Sequence, residues 1–208
     1  MATTKRRTRA GTDEDKARRR HEILAAAKKT FGRKGFHATT IADVARAADL
    51  SYGSVYWYFD SKDELFAALI ESEDDALRRA ILDAIAADPS NDVESALRRA
   101  IAGTFAHFDR DPDAVRLMFR VRGSQDSAQD SGVTRGGLYD RFVDDLEALV
   151  IEAQKSGMLA GGPPRVIAFS IGALIGQFSS RRLTNDDGMS ADQLADFVVT
   201  LVLDGLRA

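Results

Sequence analysis

The fold of this chain is decided by residues 39–65, T-T-I-A-D-V-A-R-A-A-D-L-S-Y-G-S-V-Y-W-Y-F-D-S-K-D-E-L. Thr39 or Thr40 can cap one short helix and Ser51 a second, because a side-chain oxygen accepts from the free N–H groups at a helix start. Ser61 can cap a third, with Glu64 three residues later in the capping-box pattern. The spacing predicts two short helices joined by a tight turn, an arrangement that presents one helix to a DNA groove.

The turn between the short helices needs a residue that tolerates left-handed backbone angles, four positions after a small residue. Ala45 is the small residue, and Ile41, Val44 and Ala48 share its buried face. We therefore expect Asp49 at the turn, because Asp is one of the few non-glycine residues that adopt a positive φ.

The second short helix, predicted from Ser51 to Phe59, has two different faces. Val55 and Phe59 lie on a face that a core can bury. The opposite face carries Tyr52, Gly53, Tyr56 and Trp57. Tyrosine hydroxyls, an indole N–H and flat rings suit base edges and phosphates, and a glycine allows close backbone approach. Packing against neighbouring helices is the alternative, and for Tyr58, between the two faces, both options are open.

Phosphate contacts are predicted at two helix starts and in the N-terminal arm. Thr40 opens one helix, and Ser61 with Lys62 opens another, where free N–H groups attract anions. Each is also an ordinary helix cap. The basic arm can enter an adjacent minor groove through Arg6, Arg7 and Arg9. A disordered tail without a role is the alternative for the arm.

Charge divides the chain into a basic head and an acidic body. Residues 1–60 hold 13 Lys/Arg against 7 Asp/Glu, whereas residues 61–208 hold 16 against 25. A basic segment attracts phosphates and an acidic one is repelled by them. The sequence contains no cysteine, no secretion signal and no apolar stretch long enough to span a bilayer. We therefore expect a soluble, cytoplasmic protein without membrane contact.

Helical periodicity continues to the C-terminus without strand alternation, so we predict an all-α protein of nine helices in two domains. The predicted helices are 13–34, 39/40–48, 51–59, 62–86, 92–108, 111–122, one from 138 through 153 that ends before Gly157, 165–183 and 190/192–207, with a mobile loop at 123–137. The predicted domains are a flexible basic arm at 1–12, a helix-turn-helix DNA-binding domain at 13–61, and a helical ligand-binding and dimerisation domain at 62–208.

Residues 39–65, preceded by A-A-A-K-K-T-F-G-R-K-G-F at 25–36, resemble the tetracycline-repressor (TetR) family of bacterial transcriptional regulators. The resemblance covers about the first quarter to third of the chain, and Asp49 replaces the family's usual Gly. It implies an all-α homodimer with a three-helix DNA-binding head and a ligand-binding body. It also implies phosphate contacts by Thr40, Tyr56 and Lys62, with Tyr52, Gly53, Ser54 and Trp57 facing the bases. The predicted DNA-binding residues are Arg6, Arg7, Arg9, Thr39, Thr40, Ser51, Tyr52, Gly53, Ser54, Tyr56, Trp57, Tyr58 and Lys62.

The last two predicted helices carry patterns that suit a helix-helix interface. A dimer interface is predicted at the small residues Ala168, Gly172 and Gly176 and at the stripe Leu194, Phe197, Val198, Leu201 and Val202. Packing within one subunit is the alternative. The body is also rich in large side chains, and an apolar pocket between its helices is predicted from Phe105, His107, Phe108, Met118, Phe119, Arg122, Tyr139, Phe142 and Gln177. The alternative for these residues is plain core.

These features predict a ligand-responsive DNA-binding regulator, a repressor released from a palindromic operator by a small, largely apolar effector. The predicted partners are double-stranded operator DNA, an unidentified small-molecule effector and a second copy of the chain. An effector-independent DNA-binding protein and a helical enzyme are the alternatives. The enzyme is disfavoured because His21, His37 and His107 lie on separate elements, and no metal-ligand spacing or glycine-rich phosphate loop is present. We therefore predict no catalytic residue, cofactor or metal.

Overall fold

The computed structural model describes residues 12–87, 92–123, 137–159, 161–185 and 188–206. Side chains of residues 119–123, 137–138, 203–204 and 206 are outside this description, as are residues 1–11 of the arm predicted at 1–12 and most of the loop predicted at 123–137. The regular structure of the described residues is entirely helical. Its helices are α1 (Asp13–Lys34), α2 (Ile41–Ala47), α3 (Tyr52–Tyr56), α4 (Lys62–Ala86), α5 (Val93–Arg110), α6 (Pro112–Gly123), α7 (Gly137–Lys155), α8 (Pro164–Arg182) and α9 (Ala191–Leu206).

Local capping signals set the bounds of the N-terminal helices. The Thr12 side chain accepts from the Asp15 N–H at the start of α1, and the Asp15 carboxylate accepts from the Thr12 backbone in return. Gly35 ends α1 with a φ of 81°, which suits a residue without a Cβ. The Ser61 side chain caps α4 by accepting from Glu64 N at 3.0 Å. The predicted bounds of α1 and α4 are therefore confirmed.

The third helix is shorter than the prediction. α3 ends at Tyr56, whereas the sequence predicted a helix to Phe59. Tyr58 N and Phe59 N both donate to Val55 O, at 2.9 and 3.1 Å, so the chain after Tyr56 continues as a hydrogen-bonded turn. The chain then reaches the extended backbone of Ser61, where α4 begins. The turn and the extended cap at Ser61 therefore occupy residues that the sequence predicted as the end of this helix.

The core runs continuously through head and body. α1 packs against α2, α4 and α6, while α5 packs against α4 and α9, and α7 against α8. The largest completely buried side chains include Phe31 and Phe59 in the head and Phe105, Leu117 and Ile171 in the body. No helix in the described ranges is long and apolar enough to cross a membrane.

A buried ion cluster joins the head to the body. Lys28 of α1 contacts Glu73 of α4 at 3.0 Å and also pairs with Asp111, at the junction of α5 and α6. Burial would lower the pKa of Lys28, but its bonds to Asp111 and Glu73 outweigh this and raise that pKa. Burial raises the pKa of Glu73 despite its pairing with Lys28. Three separate segments of the chain thus meet at one ammonium group.

Close backbone packing reinforces this junction. A Cβ built on Gly32 of α1 would lie 3.5 Å from Arg116 Cβ and 3.5 Å from the Asp113 carbonyl oxygen, both on α6. These distances are ordinary van der Waals contacts, so α1 and α6 are packed within contact distance of each other at Gly32. Because α1 carries core residues of the head as well, its position is tied to both parts of the molecule.

Candidate nucleic-acid interface

The turn between α2 and α3 has the predicted geometry. Asp49 is the one non-glycine residue with positive φ in the described part of the chain, at 55°. Leu50 N donates to Ala45 O at 2.9 Å, which closes the turn, and Ala45 is buried against its neighbours. The carboxylate-bearing Asp49 thus takes the left-handed backbone that this turn requires.

α3 is buried on one side and unusually apolar on its free side. Val55 and Phe59 are 0% and 2% exposed and fix the element to the head. Tyr52, Tyr56 and Trp57 are 55%, 37% and 66% exposed. Three neighbouring aromatic side chains at such exposure leave apolar surface in water, a feature typical of interaction sites.

The exposed aromatic rings are held by one another and by one lysine. The rings of Tyr52 and Tyr56 lie 4.7 Å apart, and a hydrogen bond with Tyr56 raises the pKa of the Tyr52 hydroxyl. The Trp57 ring meets Tyr58 edge-on at 4.8 Å, and Lys16 Nζ lies 5.8 Å from the Trp57 ring centroid. Tyr58 itself is partly buried against the core. Its packing therefore agrees with the core alternative more than with a base contact.

The start of α2 presents charged groups around an ordinary cap. Thr40 Oγ1 accepts from Asp43 N at 3.2 Å and donates to the Asp43 carboxylate at 2.9 Å. Lys34 and Arg46 lie 2.9 and 3.2 Å from that carboxylate. The bond from Lys34 and the bonds from Thr40 hold the Asp43 pKa far below its usual range. Two cations therefore border this helix start beside a permanently ionised carboxylate.

Arg46 and Lys16 are surface cations near α3 that were not among the predicted DNA-binding residues. Arg46 has a side chain 78% exposed and lines a groove of about 340 Å³ between α2 and α3, together with Asp49 and Tyr52. Lys16 is on α1, far from α3 in sequence, so only the packed head brings it to Trp57. Arg46 could have been predicted from the sequence, because it follows the buried Ala45 on the same short helix and therefore lies on the opposite, exposed side.

Two predicted DNA-binding residues have other contacts. Thr39 is 1% exposed and its hydroxyl donates to Gly35 O at 2.7 Å, so its prediction as a DNA contact is wrong: it stabilises the turn before α2. Lys62 Nζ donates to Phe36 O at 3.1 Å and lies 4.3 Å from the Phe36 ring centroid. Lys62 is thereby held at the surface of the head with further N–H groups to offer.

The remaining predicted contacts stay exposed or partly exposed. Ser51 caps α3 by accepting from Ser54 N at 3.1 Å, and the two hydroxyls are 2.7 Å apart. A Cβ on Gly53 would meet no atom within 4 Å, so the backbone there is open to close approach. Arg6, Arg7 and Arg9 lie outside the described residues.

The predicted pocket residues fall into three groups. Five are buried in the body core, namely Phe105, Phe108, Met118, Tyr139 and Phe142. His107 is half-buried, and burial lowers its pKa although Asp111 acts in the opposite direction. Gln177 is exposed on α8, so its prediction as an inward anchor is wrong: the residue lies on the outer side of its helix. The side chains of Phe119 and Arg122 lie outside the description.

The helix faces predicted for the dimer interface are partly wrong. Ala168, Gly172 and Gly176 are buried within the subunit, as are Leu194, Val198 and Val202. A Cβ on Gly172 would lie 3.2 Å from the Tyr139 hydroxyl, so this glycine serves packing between α7 and α8. The exposed apolar residues of α8 and α9 are Val166, Phe169, Phe197 and Leu201. Phe197 and Leu201 alone among the predicted residues face outward.

Comparison with known proteins bears on the head most directly. Residues 23–69 match the family described as "Bacterial regulatory proteins, tetR family". The uncharacterized HTH-type transcriptional regulator YfiR of Bacillus subtilis (strain 168) is 48% identical over 69 residues, which are 33% of this chain and 34% of that protein. The chain therefore aligns with about a third of the length of that relative. The regulator RutR of Escherichia coli (strain K12) is 28% identical, covering 100% of this chain and 97% of RutR.

Solved structures resemble the whole fold. A TetR-like transcriptional regulator from Rhodococcus sp. RHA1 has a TM-score of 0.70 at 26% identity, covering 90% of this chain and 94% of the other. The structure of AibR in complex with isovaleryl coenzyme A and operator DNA has a TM-score of 0.71 at 19% identity, covering 89% and 98%. At that identity the similarity to AibR concerns the fold alone.

Proposed function

Because the chain belongs to the tetR family of bacterial regulatory proteins, we propose that it is a transcriptional regulator that binds operator DNA through α3. The observation that carries the proposal is the exposed aromatic face of α3. Tyr52, Tyr56 and Trp57 supply flat apolar surface and hydrogen-bonding groups at the tip of the head. A major groove accepts a helix and presents base edges and thymine methyl groups to such side chains.

The surrounding charges divide the interface into two roles. Arg46 and Lys16 flank the aromatic face, and Lys62 lies at the start of α4, so these cations suit phosphates. Thr40, Ser51 and the open backbone at Gly53 add short polar contacts close to the duplex. We assign base contacts to Trp57 and Tyr52 and positioning contacts to the cations. The basic arm, with Arg6, Arg7 and Arg9, extends this set as a proposal for the minor groove.

A homodimer is the second part of the proposal. The exposed large apolar side chains of the described residues are concentrated on α3 and on α8 and α9, with Leu82 outside both groups. The second group contains Val166, Phe169, Phe197 and Leu201, and the Phe197 ring meets Phe178 of α8 edge-on at 6.1 Å. A two-fold pair of these faces would bury them in a four-helix contact and would set two α3 helices on two half-sites.

Release by a small molecule is the third part of the proposal. Regulators of this fold include one described in complex with a coenzyme A thioester and operator DNA. In this chain, α1 connects the DNA-binding head to α6 through Gly32 and to α4 through Lys28. An effector that binds one arrangement of the body more tightly would shift the spacing of the two heads and lower operator affinity.

Binding to DNA can be tested without knowledge of the operator. Purified protein selects sites from a random double-stranded library, and fluorescence anisotropy then gives affinities for the selected and for scrambled sites. Trp57→Ala should reduce the preference for the selected site by about tenfold or more, because a base contact is lost. Arg46→Gln should weaken binding to both sites and lower the salt slope by about one.

Matched controls separate these effects from general damage. Leu82→Ala removes another exposed large apolar side chain, and Lys155→Gln removes an exposed cation paired with Glu152. Neither should change DNA affinity. Equal effects of Trp57→Ala on selected and scrambled sites would contradict the base-reading role. Selection of a site that no small molecule ever releases would favour the effector-independent alternative.

A further inference from the structure

We infer that a surface cleft between the end of α5, the start of α6 and the end of α8 binds a small apolar carboxylate. The cleft has a volume of about 410 Å³. Small-molecule pockets span roughly 300–1,000 Å³, so the size suits a small ligand. Phe108 and Leu183 contribute apolar walls, while Arg116, Ser179 and Arg182 contribute polar ones. One end of a ligand would therefore be apolar and the other hydrogen-bonded.

Ser179 marks the polar end of the cleft. The residue is 4% exposed, and its Oγ is buried without a hydrogen-bond partner among the described residues. Thr30 and Thr104, which are also buried on helices, each donate to the carbonyl oxygen four residues back at 2.8 Å. A buried hydroxyl without a partner costs free energy, because it gives up its hydrogen bonds to water and gains none in the fold. A rotation of the Ser179 side chain toward the cleft would let an acceptor oxygen of a bound ligand supply the missing bond.

The charges of the cleft select a monoanion. Arg182 Nη2 donates to Asp109 Oδ2 at 3.0 Å, and Asp109 also lines the cleft. Arg116 donates to Asp113 at 2.8 Å, and its side chain is 44% exposed. The lining therefore holds two guanidinium groups and one carboxylate. A ligand carboxylate matches the planar guanidinium groups, whereas a dianionic phosphate would meet the added repulsion of Asp109.

Arg116, which lines this cleft, is also in contact with α1 of the head. Arg116 lies on the face of α6 that contacts α1, because a Cβ on Gly32 would be 3.5 Å from Arg116 Cβ. A ligand that draws Arg116 toward Ser179 would alter the packing of α6 against α1. The inferred carboxylate site is supported by the geometry of the cleft alone, whereas its effect on DNA affinity rests on the proposed function.

Calorimetric titration of the full chain tests the site with defined probes. Benzoate and hexanoate should bind, and benzamide, hexanamide and inorganic phosphate should bind at least about tenfold more weakly because charge and shape both matter. Ser179→Ala and Arg116→Gln should each weaken carboxylate binding by about tenfold. Ser180→Ala and Arg181→Gln are the matched controls, because these neighbours do not line the cleft.

The outcomes separate the site from its regulatory role. Carboxylate binding that is lost in the two cleft variants and kept in the two controls supports the inference. Absence of binding by both carboxylates at ~10 mM, or equal binding by acids and amides, overturns it. Full binding by both cleft variants, with folding verified by circular dichroism, also overturns it. Carboxylate binding that leaves DNA affinity unchanged supports the site and overturns its link to α1, whereas protein that binds no DNA at all contradicts the proposed function instead.

Discussion

Replacement of Lys28 by Met should destabilise the protein in a pH-dependent way. Lys28 Nζ lies 3.0 Å from one Glu73 carboxylate oxygen and 3.2 Å from the other, and it pairs with Asp111 as well. The side chains of Lys28 and Glu73 are only 16% and 9% exposed. Methionine replaces the apolar stem of lysine up to the position of Cε but leaves two carboxylates without their common cation.

The expected cost follows from the burial of the partners. Removal of one member of a buried ion pair costs roughly 3–5 kcal/mol, because the remaining charge is desolvated and unpaired. Asp111 is 30% exposed and can recover some hydration, so we expect about 3 kcal/mol near neutral pH. The cost should be largest at alkaline pH, where both carboxylates are ionised.

The sign of the pH dependence is set by the two acids. The pKa of Asp111 is lowered in the fold, because its bonds to Lys28 outweigh burial, so its stabilisation is present above its usual pKa and is lost as pH falls. The pKa of Glu73 is raised by burial, so its ionisation costs stability as pH rises, and Lys28 reduces that cost. Both effects make Lys28→Met less harmful at about pH 5 than at about pH 8.

Urea unfolding followed by circular dichroism, at one protein concentration and at both pH values, measures the difference. The double variant Lys28→Met/Glu73→Gln is the control, because a neutral amide at position 73 removes the more deeply buried charge. It should recover a large part of the lost stability. A loss below about 1 kcal/mol, or a loss that does not change between the two pH values, would refute the assignment of a strong buried pair.

Three further substitutions test packing, backbone and titration. Gly103→Ala should cost about 2 kcal/mol in urea unfolding, because the new Cβ would lie 2.7 Å from Ala84 Cβ, whereas Gly205→Ala, with no atom within 4 Å, should not. Asp49→Ala should cost about 1 kcal/mol because alanine tolerates the φ of 55° less well, and Asp49→Gly should not. Burial lowers the pKa of His107, so the wild type loses stability as pH falls below about 6.5, and His107→Gln should flatten melting temperature against pH in that range.

Local signals predicted most of the fold. The bounds of α1 and α4 could be predicted because capping acts within a few positions of a helix end. Ser61 caps the start of α4, and Gly35 ends α1. The end of α3 could not be predicted in this way, because residues 51–59 contain no proline or other strong helix-ending signal. The helix ends at Tyr56, before the extended cap residue Ser61. The choice between Thr39 and Thr40 as cap depended on whether Thr39 turns back to Gly35, a contact of the folded turn.

Interfaces between distant segments were harder to predict. A helical wheel identifies the small residues on α8, but it does not say whether the partner helix belongs to the same subunit or to another. Gly172 packs against Tyr139 of α7, so the stripe of small residues forms a helix-helix contact within the subunit. The Lys28 cluster joins residues 45 and 83 positions apart, and no local pattern reveals such a contact.

The position of α1 limits how the head can respond to the body. One side of α1 contributes Ile23 and Phe31 to the buried core, while Lys28 and Gly32 contact α4 and α6. Packed interiors transmit displacement because they contain little free volume. A shift of α6 must therefore either move α1 with it or break the contacts at Lys28 and Gly32. Because the head packs on α1, the first course reorients the aromatic face of α3, and the second costs at least the roughly 3 kcal/mol expected for Lys28→Met.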